Sequence, residues 1–371
     1  MKKGGLDGVV AAQTRLSHVD GQAGQLIIGG YELKELAGRV SFEEAAHLLW
    51  RGALPSREEL TGLEREIAGL RALPDEAMRV VRAAAKSPPI DALRMACATL
   101  SLDLPRPDDI SPATDIQAAK LLTARFPTTV AAHARLSAGK EPIAPRSDLP
   151  LAANFLYMVQ GTEPDPIAAR AIDTYWVTVI DHGMNASTFT ARVIASTRSD
   201  MVSAVTGAIG ALKGPLHGGA PGPVLDMLKD IKSADRAEGW VRNELAAGRR
   251  IMGFGHRVYK TEDPRATHLR KLSERIGEMV GDTRWYEMSR KMEEVVMEEK
   301  GLYPNVDFYA ASVYYSMGIP VDLFTPIFAA SRVAGWTAHI REQYADNRLI
   351  RPESAYVGPP HRSYVPIDQR G

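Results

Sequence analysis

Two histidines and one carboxylate stand where acid–base chemistry is commonly done, in loops that run into helix starts. His217 lies in GPLHGGAPG (214–222), His256 in GFGHR (253–257) and Asp307 in YPNVD (303–307). A carboxylate base with two neutral donors is what proton removal next to a carbonyl needs. The base takes the proton, one donor steadies the enolate oxygen, and the other serves an acceptor oxygen. The helix start that follows His217 supplies a positive field that disfavours imidazolium, and Gly218 and Gly219 let a ligand approach the main chain. A structural reading also stands: His217 satisfied inside a turn, and Asp307 a first-turn acid favoured by the helix dipole. Arg265, Arg332 and Arg351 read as lying near helix ends, where guanidinium forks can hold carboxylates. No His-x3-His pair or clustered carboxylates suggest a metal, so none is expected. Gly253-x-Gly255 lacks the third glycine and the preceding βαβ pattern of a dinucleotide site, and no P-loop occurs.

The elements that must position these groups are nearly all helical. Val202, Val205, Ile209 and Leu212 recur at helical spacing between small residues, so the helix before His217 can pack very close to another. Gly214 and Pro215 end it, and Pro223 suits the first turn of the next helix. Residues 9–31 predict two short strands around Asp20-Gly21. Ser41 with Glu44, and Ser56 with Glu59, predict capping boxes, and Asp235 with Glu238 predicts a third capped start. Helices follow at 75–86, 90–103, 112–137 (bent at Pro127) and 149–160. Ile167, Ala171, Tyr175, Val179 and Ile180 line a helix face ending at Asp181-His182-Gly183. Asp263-Pro264, Asn305 and Thr325-Pro326 open later helices, and Trp285, Met288, Met292 and Val295 line another. From Arg351 the chain is proline-rich and reads as an extended tail or an arm on a partner.

Length and composition bound the class. At 371 residues, two or three domains are expected at roughly 150 residues each. Lys+Arg and Asp+Glu are both 45, so no net charge draws the chain to nucleic acid or an acidic membrane. The single cysteine, Cys97, excludes an intrachain disulfide framework and fits a reducing compartment. Met1-Lys-Lys is not followed by an apolar run, and no stretch is long enough to span a membrane, so a cytoplasmic location is expected.

DHGMNASTFTARV (181–193), GPLHGGA (214–220), GFGHRVYKTEDPR (253–265), PNVDF (304–308), SRVAG (331–335) and RPES (351–354) closely resemble, in order and spacing, the citrate synthase family with its 2-methylcitrate synthase branch. The resemblance implies an all-α, two-domain homodimer with a small N-terminal β-hairpin. A large domain would comprise 1–219 and 323–371, the latter with a C-terminal arm, and a small domain 220–322 would close over the site. It implies a Si-type acyltransferase of the tricarboxylic acid cycle that condenses acetyl-CoA with oxaloacetate. Asp307 would deprotonate the acetyl methyl, His217 would donate to the thioester oxygen, and His256 would protonate the oxaloacetate ketone. His182, Arg265 and Arg332 would hold oxaloacetate, with Arg351 reaching in from the other subunit. Ile251, Gly253 and Gly255 would cup adenine, while Arg257, Lys260, Lys300 and Asn305 match CoA contacts. No permanently bound cofactor is implied, CoA being substrate and product. Two departures are Gly183, where an acidic residue is common, and Pro221-Gly222-Pro223, where the next helix usually opens Asn- and Glu-rich. The alternatives are propionyl-CoA as substrate, giving 2-methylcitrate, a non-catalytic acyl-CoA or oxaloacetate binding protein, and a metallohydrolase using the same polar residues.

Overall fold

A computed structural model describes residues 5, 6, 8–106, 108–218 and 221–371. The reading of Met1-Lys-Lys, Gly219 and the division expected between 219 and 220 lie outside them. Among the described residues are 16 α-helices and one small antiparallel sheet. Strand β1 (Ser17–Asp20) pairs with β2 (Gln25–Ile28), Ser17 opposite Ile28 and Asp20 opposite Gln25. The Asp20 carboxylate closes the turn by accepting from the Gln22 and Ala23 amides at 2.9 Å each. A third strand, β3 (Tyr31–Glu32), was not expected; two residues are too few to carry a period.

Local chemistry set most helix starts. Both expected capping boxes form, Ser41 with Glu44 and Ser56 with Glu59. The third does not: Ser233 is the N-cap of the Ala234–Ala246 helix, and Asp235, already helical, has only the dipole to complement. The Pro112–Ser137 helix passes unbroken through Pro127 and is buried over most of its length. It packs on the Phe324–Ala345 helix, which is likewise buried, and the two form the centre of the core. Arg332 therefore sits in the middle of a helix, not near an end. That long helix is buried around nearly its whole circumference, polar residues included, so no polar stripe marks the position from sequence.

The close helix contact expected before His217 is present. The Met201–Leu212 helix packs on Ala186–Ser196, where a Cβ on Gly207 would meet Ile194 Cδ1 at 2.3 Å. Beyond Ile350 the chain is almost wholly exposed, with one 3-10 turn at Ile367–Gln369. No helix of the described residues is long and apolar enough to cross a membrane.

Candidate active site

His182, His217, His256, Arg265, Asp307 and Arg332 line one cleft of about 720 Å³, joined by Arg257 and Asn305. Their sequence separations gave no hint of this; the helix packing brings them together.

His182 follows the Pro166–Val179 helix, whose start is fixed by Asp165 accepting from the Ile167 amide at 2.7 Å. The residue after it, Gly183, has φ 59°, a left-handed conformation that an acidic residue would enter only with strain. His182 Nε2 lies 3.0 Å from the Tyr259 hydroxyl, and the two rings meet edge to face. Burial, then the charges of Arg265 and Arg332, holds His182 well below the usual imidazole range, so it is neutral.

His217 turns back on Gly214, whose carbonyl accepts from the His217 amide at 2.9 Å. Gly218 is required by close approach, since a Cβ there would meet the Leu212 carbonyl oxygen at 2.3 Å. The Ser187 amide donates to His217 Nε2 at 3.3 Å and Ser187 Oγ lies 2.8 Å from it. A backbone N–H can only donate, so Nε2 is the acceptor and the ring proton belongs on Nδ1. Trp336 Nε1 holds Ser187 Oγ at 3.1 Å. Burial first and Arg332 second pull His217 down to about 4, so the ring is neutral, as expected, though the cause differs from the helix field invoked from sequence.

His256 has the opposite tautomer. Its Nδ1 accepts from the Val258 and Tyr259 amides at 3.0 and 3.1 Å, leaving the proton on Nε2. Arg265 Nη2 stands 3.4 Å from Nε2, two donors facing each other. Burial, then that guanidinium, draws His256 down to about 4. Two neutral imidazoles thus offer N–H groups of fixed tautomer to the cleft walls.

Asp307 lies in the first turn of the Val306–Ser316 helix, capped by Asn305, which accepts from the Asp307 amide at 3.1 Å. Burial raises its carboxyl from 3.8 to about 6, with Arg265 opposing the shift. It is a stronger base than an ordinary carboxylate and still ionised at neutral pH.

The loop at 251–255 and the Asp307 helix start form one unit. The Gly255 amide donates to Tyr303 O at 2.8 Å, the Asn305 amide to Gly253 O at 2.8 Å, and Asn305 Nδ2 to Gly255 O at 3.1 Å. Gly253 has φ 82°, and a Cβ there would strike Val224 and Phe308. Gly255, Lys260 and His256 also line a smaller cavity of about 210 Å³ beside the cleft. Ile251 and Gly253 are buried and support the loop from below. Lys300 ends an exposed helix turn, and Arg351, on the exposed tail, does not line the cleft of its own chain.

The two arginines are held differently. Arg265 is paired with Asp263 through Nε–Oδ1 at 2.9 Å and Nη2–Oδ2 at 2.8 Å, almost out of contact with water. Arg332 is 1% exposed; its Nε donates to Val179 O at 2.6 Å and its guanidinium lies 4.4 Å over the Phe328 ring. Among the described residues no carboxylate is within ion-pair distance of it, and burial lowers it to about 10 with the nearby Asp181 charge opposing. A buried cation with no carboxylate in direct contact is costly, and an anionic ligand in the cleft lowers that cost. Among the described residues no group of three or more His, Cys, Asp or Glu is placed to hold a metal ion.

Sequence reasoning missed Ser187, Tyr259, Phe328 and Trp336 as supports of the site. Ser187 and Tyr259 lie inside quoted motifs, but only the fold shows which histidine each one holds.

The fold is that of a helical enzyme, and its cleft gathers a carboxylate, neutral imidazoles and a buried arginine, a set suited to proton removal next to a carbonyl and to an anionic ligand. The comparisons are specific. Residues 5–353 match the family described as citrate synthase, C-terminal domain. The chain is 49% identical to a citrate synthase of Haloferax volcanii, covering 99% of both chains. It superposes on the citrate synthase structure from Pyrobaculum aerophilum with TM-score 0.90 at 40% identity, covering 98% of this chain and 94% of that one. A citrate synthase from Thermoplasma acidophilum, solved as a ternary complex with carboxymethyl coenzyme A and oxaloacetate, also gives TM-score 0.90, at 33% identity and 98% coverage of each chain. The chain belongs to the citrate synthase family.

Proposed function

We propose that this chain condenses acetyl-CoA with oxaloacetate and water to give citrate and CoA. One observation carries the reading: a carboxylate of raised basicity and two neutral imidazoles of fixed tautomer share a cleft with a buried arginine that makes no ion pair among the described residues.

Asp307 takes a proton from the acetyl methyl while His217 Nδ1–H donates to the thioester oxygen, giving an enol-like nucleophile. A thioester α-proton is weakly acidic, so base and donor must act together. His256 Nε2–H serves the ketone oxygen of oxaloacetate as the carbon–carbon bond forms, and hydrolysis of citryl-CoA releases CoA. His182, Arg265 and Arg332 hold the oxaloacetate carboxylates. Arg332 gains a direct anionic partner, and Arg265 contributes the guanidinium edge that Asp263 leaves free. Arg351 completes the site from a second copy, consistent with its exposed place on the tail. The loop at 251–255 receives adenine, and Arg257, Lys260, Lys300 and Asn305 surround the rest of CoA. Residues 220–322 act as a small domain that closes on oxaloacetate and keeps water from the thioester. The buried thiol of Cys97 suits a reducing cytoplasm.

Purified protein given oxaloacetate and acetyl-CoA releases citrate and free CoA, identified by mass and by thiol titration. A protein that binds both compounds and releases neither product is a binding protein, and the proposal fails.

A further inference from the structure

The β1–β2 hairpin touches two of the cleft's histidines, His182 and His256, through their neighbours. Gly183 N–H donates to Ser17 Oγ at 2.8 Å, and Ser17 Oγ donates to Asp181 Oδ2 at 2.5 Å. One hydroxyl thus binds the residue before His182 and the residue after it. At the other end of the strand, the Lys260 amide donates to the Gly21 carbonyl at 2.8 Å, in the loop whose Val258 and Tyr259 amides hold His256 Nδ1. The hairpin turn lies directly on that loop, since a Cβ on Gly21 would meet the Val258 carbonyl oxygen at 2.1 Å and one on Gly24 the Glu262 carbonyl oxygen at 2.9 Å. Between these two anchors, the His182 and His256 rings stand 5.6 Å apart at 73°, with Tyr259 hydrogen-bonded to one and packed on the other.

We propose that the β1–β2 hairpin is a strap that sets the spacing of His182 and His256, with Ser17 and the Gly21 carbonyl as its positioning groups. The anchors are four residues apart in sequence, whereas Asp181 and Lys260 are far apart along the chain and meet otherwise through the His182, His256 and Tyr259 side chains. The hairpin is backed by a third strand, and its ladder hydrogen bonds set the distance between Ser17 and Gly21, whereas the two loops lie outside any sheet. Asp181 is well suited to its part. It is buried, held below the usual carboxylate range against burial by His339, then Arg332 and Ser17, and its Oδ2 also meets His339 Nε2 at 3.1 Å.

The functional consequence rests on the condensation proposed above. Oxaloacetate bound by His182 must present its ketone to His256, and a shift of about 1 Å in such an arrangement can cost about a hundredfold in rate. Ser17 lines the edge of the cleft, and its hydroxyl is committed to the Asp181 carboxylate and the Gly183 amide, so its loss acts through the residues that flank His182.

The test uses the full chain with Ser17→Ala, Ser17→Thr, Tyr259→Phe and the Ser17→Ala/Tyr259→Phe pair. Ser17→Ala is expected to lower kcat about tenfold or more and to weaken oxaloacetate, leaving the acetyl-CoA KM and the melting temperature near wild type. Ser17→Thr, which keeps the hydroxyl, recovers most of the rate. The double variant loses less than the product of the two single losses, because both act on the same pair. A Ser17→Ala enzyme at the wild-type rate, or losses that simply multiply with Tyr259→Phe, overturns the strap. The imidazole ¹⁵N resonances of His182 and His256 give a readout without turnover. Both move in Ser17→Ala, and also in Gly21→Ala, which pushes the turn off the loop. If the wild type releases no CoA, the condensation reading fails, and these resonances still decide the strap; unmoved resonances reject it.

Discussion

Replacing Asp307 by Asn removes the base without altering shape, and the structure fixes what should follow. The carboxyl titrates at about 6 rather than 3.8 because it is buried, and Arg265 only partly offsets that burial. As a positioned base it is worth about 10²–10⁴ in rate, roughly 3–5 kcal/mol of transition-state stabilisation. Asp307→Asn is therefore expected to lower kcat for CoA release by that factor. Oxaloacetate binding should move the other way. Asp307 contributes no hydrogen bond to Arg265 or Arg332, and its negative charge opposes a dianion beside them, so its removal leaves affinity unchanged or slightly tighter. The pH profile adds a second readout. In the wild type, kcat/KM for acetyl-CoA falls about tenfold per pH unit below about 6 as the base takes up its proton, and that limb is absent from the residual activity of Asp307→Asn. Calorimetry and stopped-flow thiol release measure both quantities. A loss of oxaloacetate affinity equal to the loss in kcat, or an acid limb that persists in the variant, would refute the assignment of Asp307 as base.

Other consequences are testable with the same protein. His217 and His256 are expected to remain neutral down to about pH 5, His217 protonated on Nδ1 and His256 on Nε2; ¹⁵N spectra showing imidazolium at pH 7 in either would contradict the site's electrostatics. Asp173 is raised from 3.8 to about 7 by burial and by the Glu43 charge, so the folded chain keeps a proton there that the unfolded chain releases. Stability therefore falls as pH rises from about 4 to 7, and Asp173→Asn flattens urea midpoints over that range; an unchanged slope rejects the attribution. Gly335→Ala pits about 1 kcal/mol of helix propensity against a Cβ 2.2 Å from the Ile180 carbonyl oxygen. Overpacking should win by about 1–3 kcal/mol, seen as a lower melting temperature, and a more stable variant would show that the core yields there.

What was legible in the sequence was local. Ser41 and Glu44, Asp263 before Pro264, and Asn305 before Asp307 each announce a helix start through groups within three residues, and each forms as expected. Motif resemblance and residue chemistry singled out candidate site residues, and of these His182, His217, His256, Arg265, Asp307 and Arg332 share one cleft, while the contacts that hold them were not legible. Ser187 meets His217 across 30 residues and Ser17 meets Asp181 across 164, contacts that no periodicity encodes. Arg332 looked like a helix-end residue because the helix around it is buried on all sides and offers no stripe to read. The neutrality of His217 was anticipated from a helix dipole, yet burial and Arg332 produce it, and burial follows only from the finished packing.

The most direct measurement of the central claim is kcat/KM for free CoA release, with oxaloacetate present, from acetyl-CoA and from propionyl-CoA. The two acyl groups differ by one methylene, whose discrimination is worth about 1–3 kcal/mol, or roughly 10–200-fold. The account predicts release from both only when oxaloacetate is added, with acetyl-CoA preferred and citrate as the product. Preference for propionyl-CoA would contradict the choice of substrate while leaving Asp307, His217 and His256 in place, and release from neither would contradict the account itself.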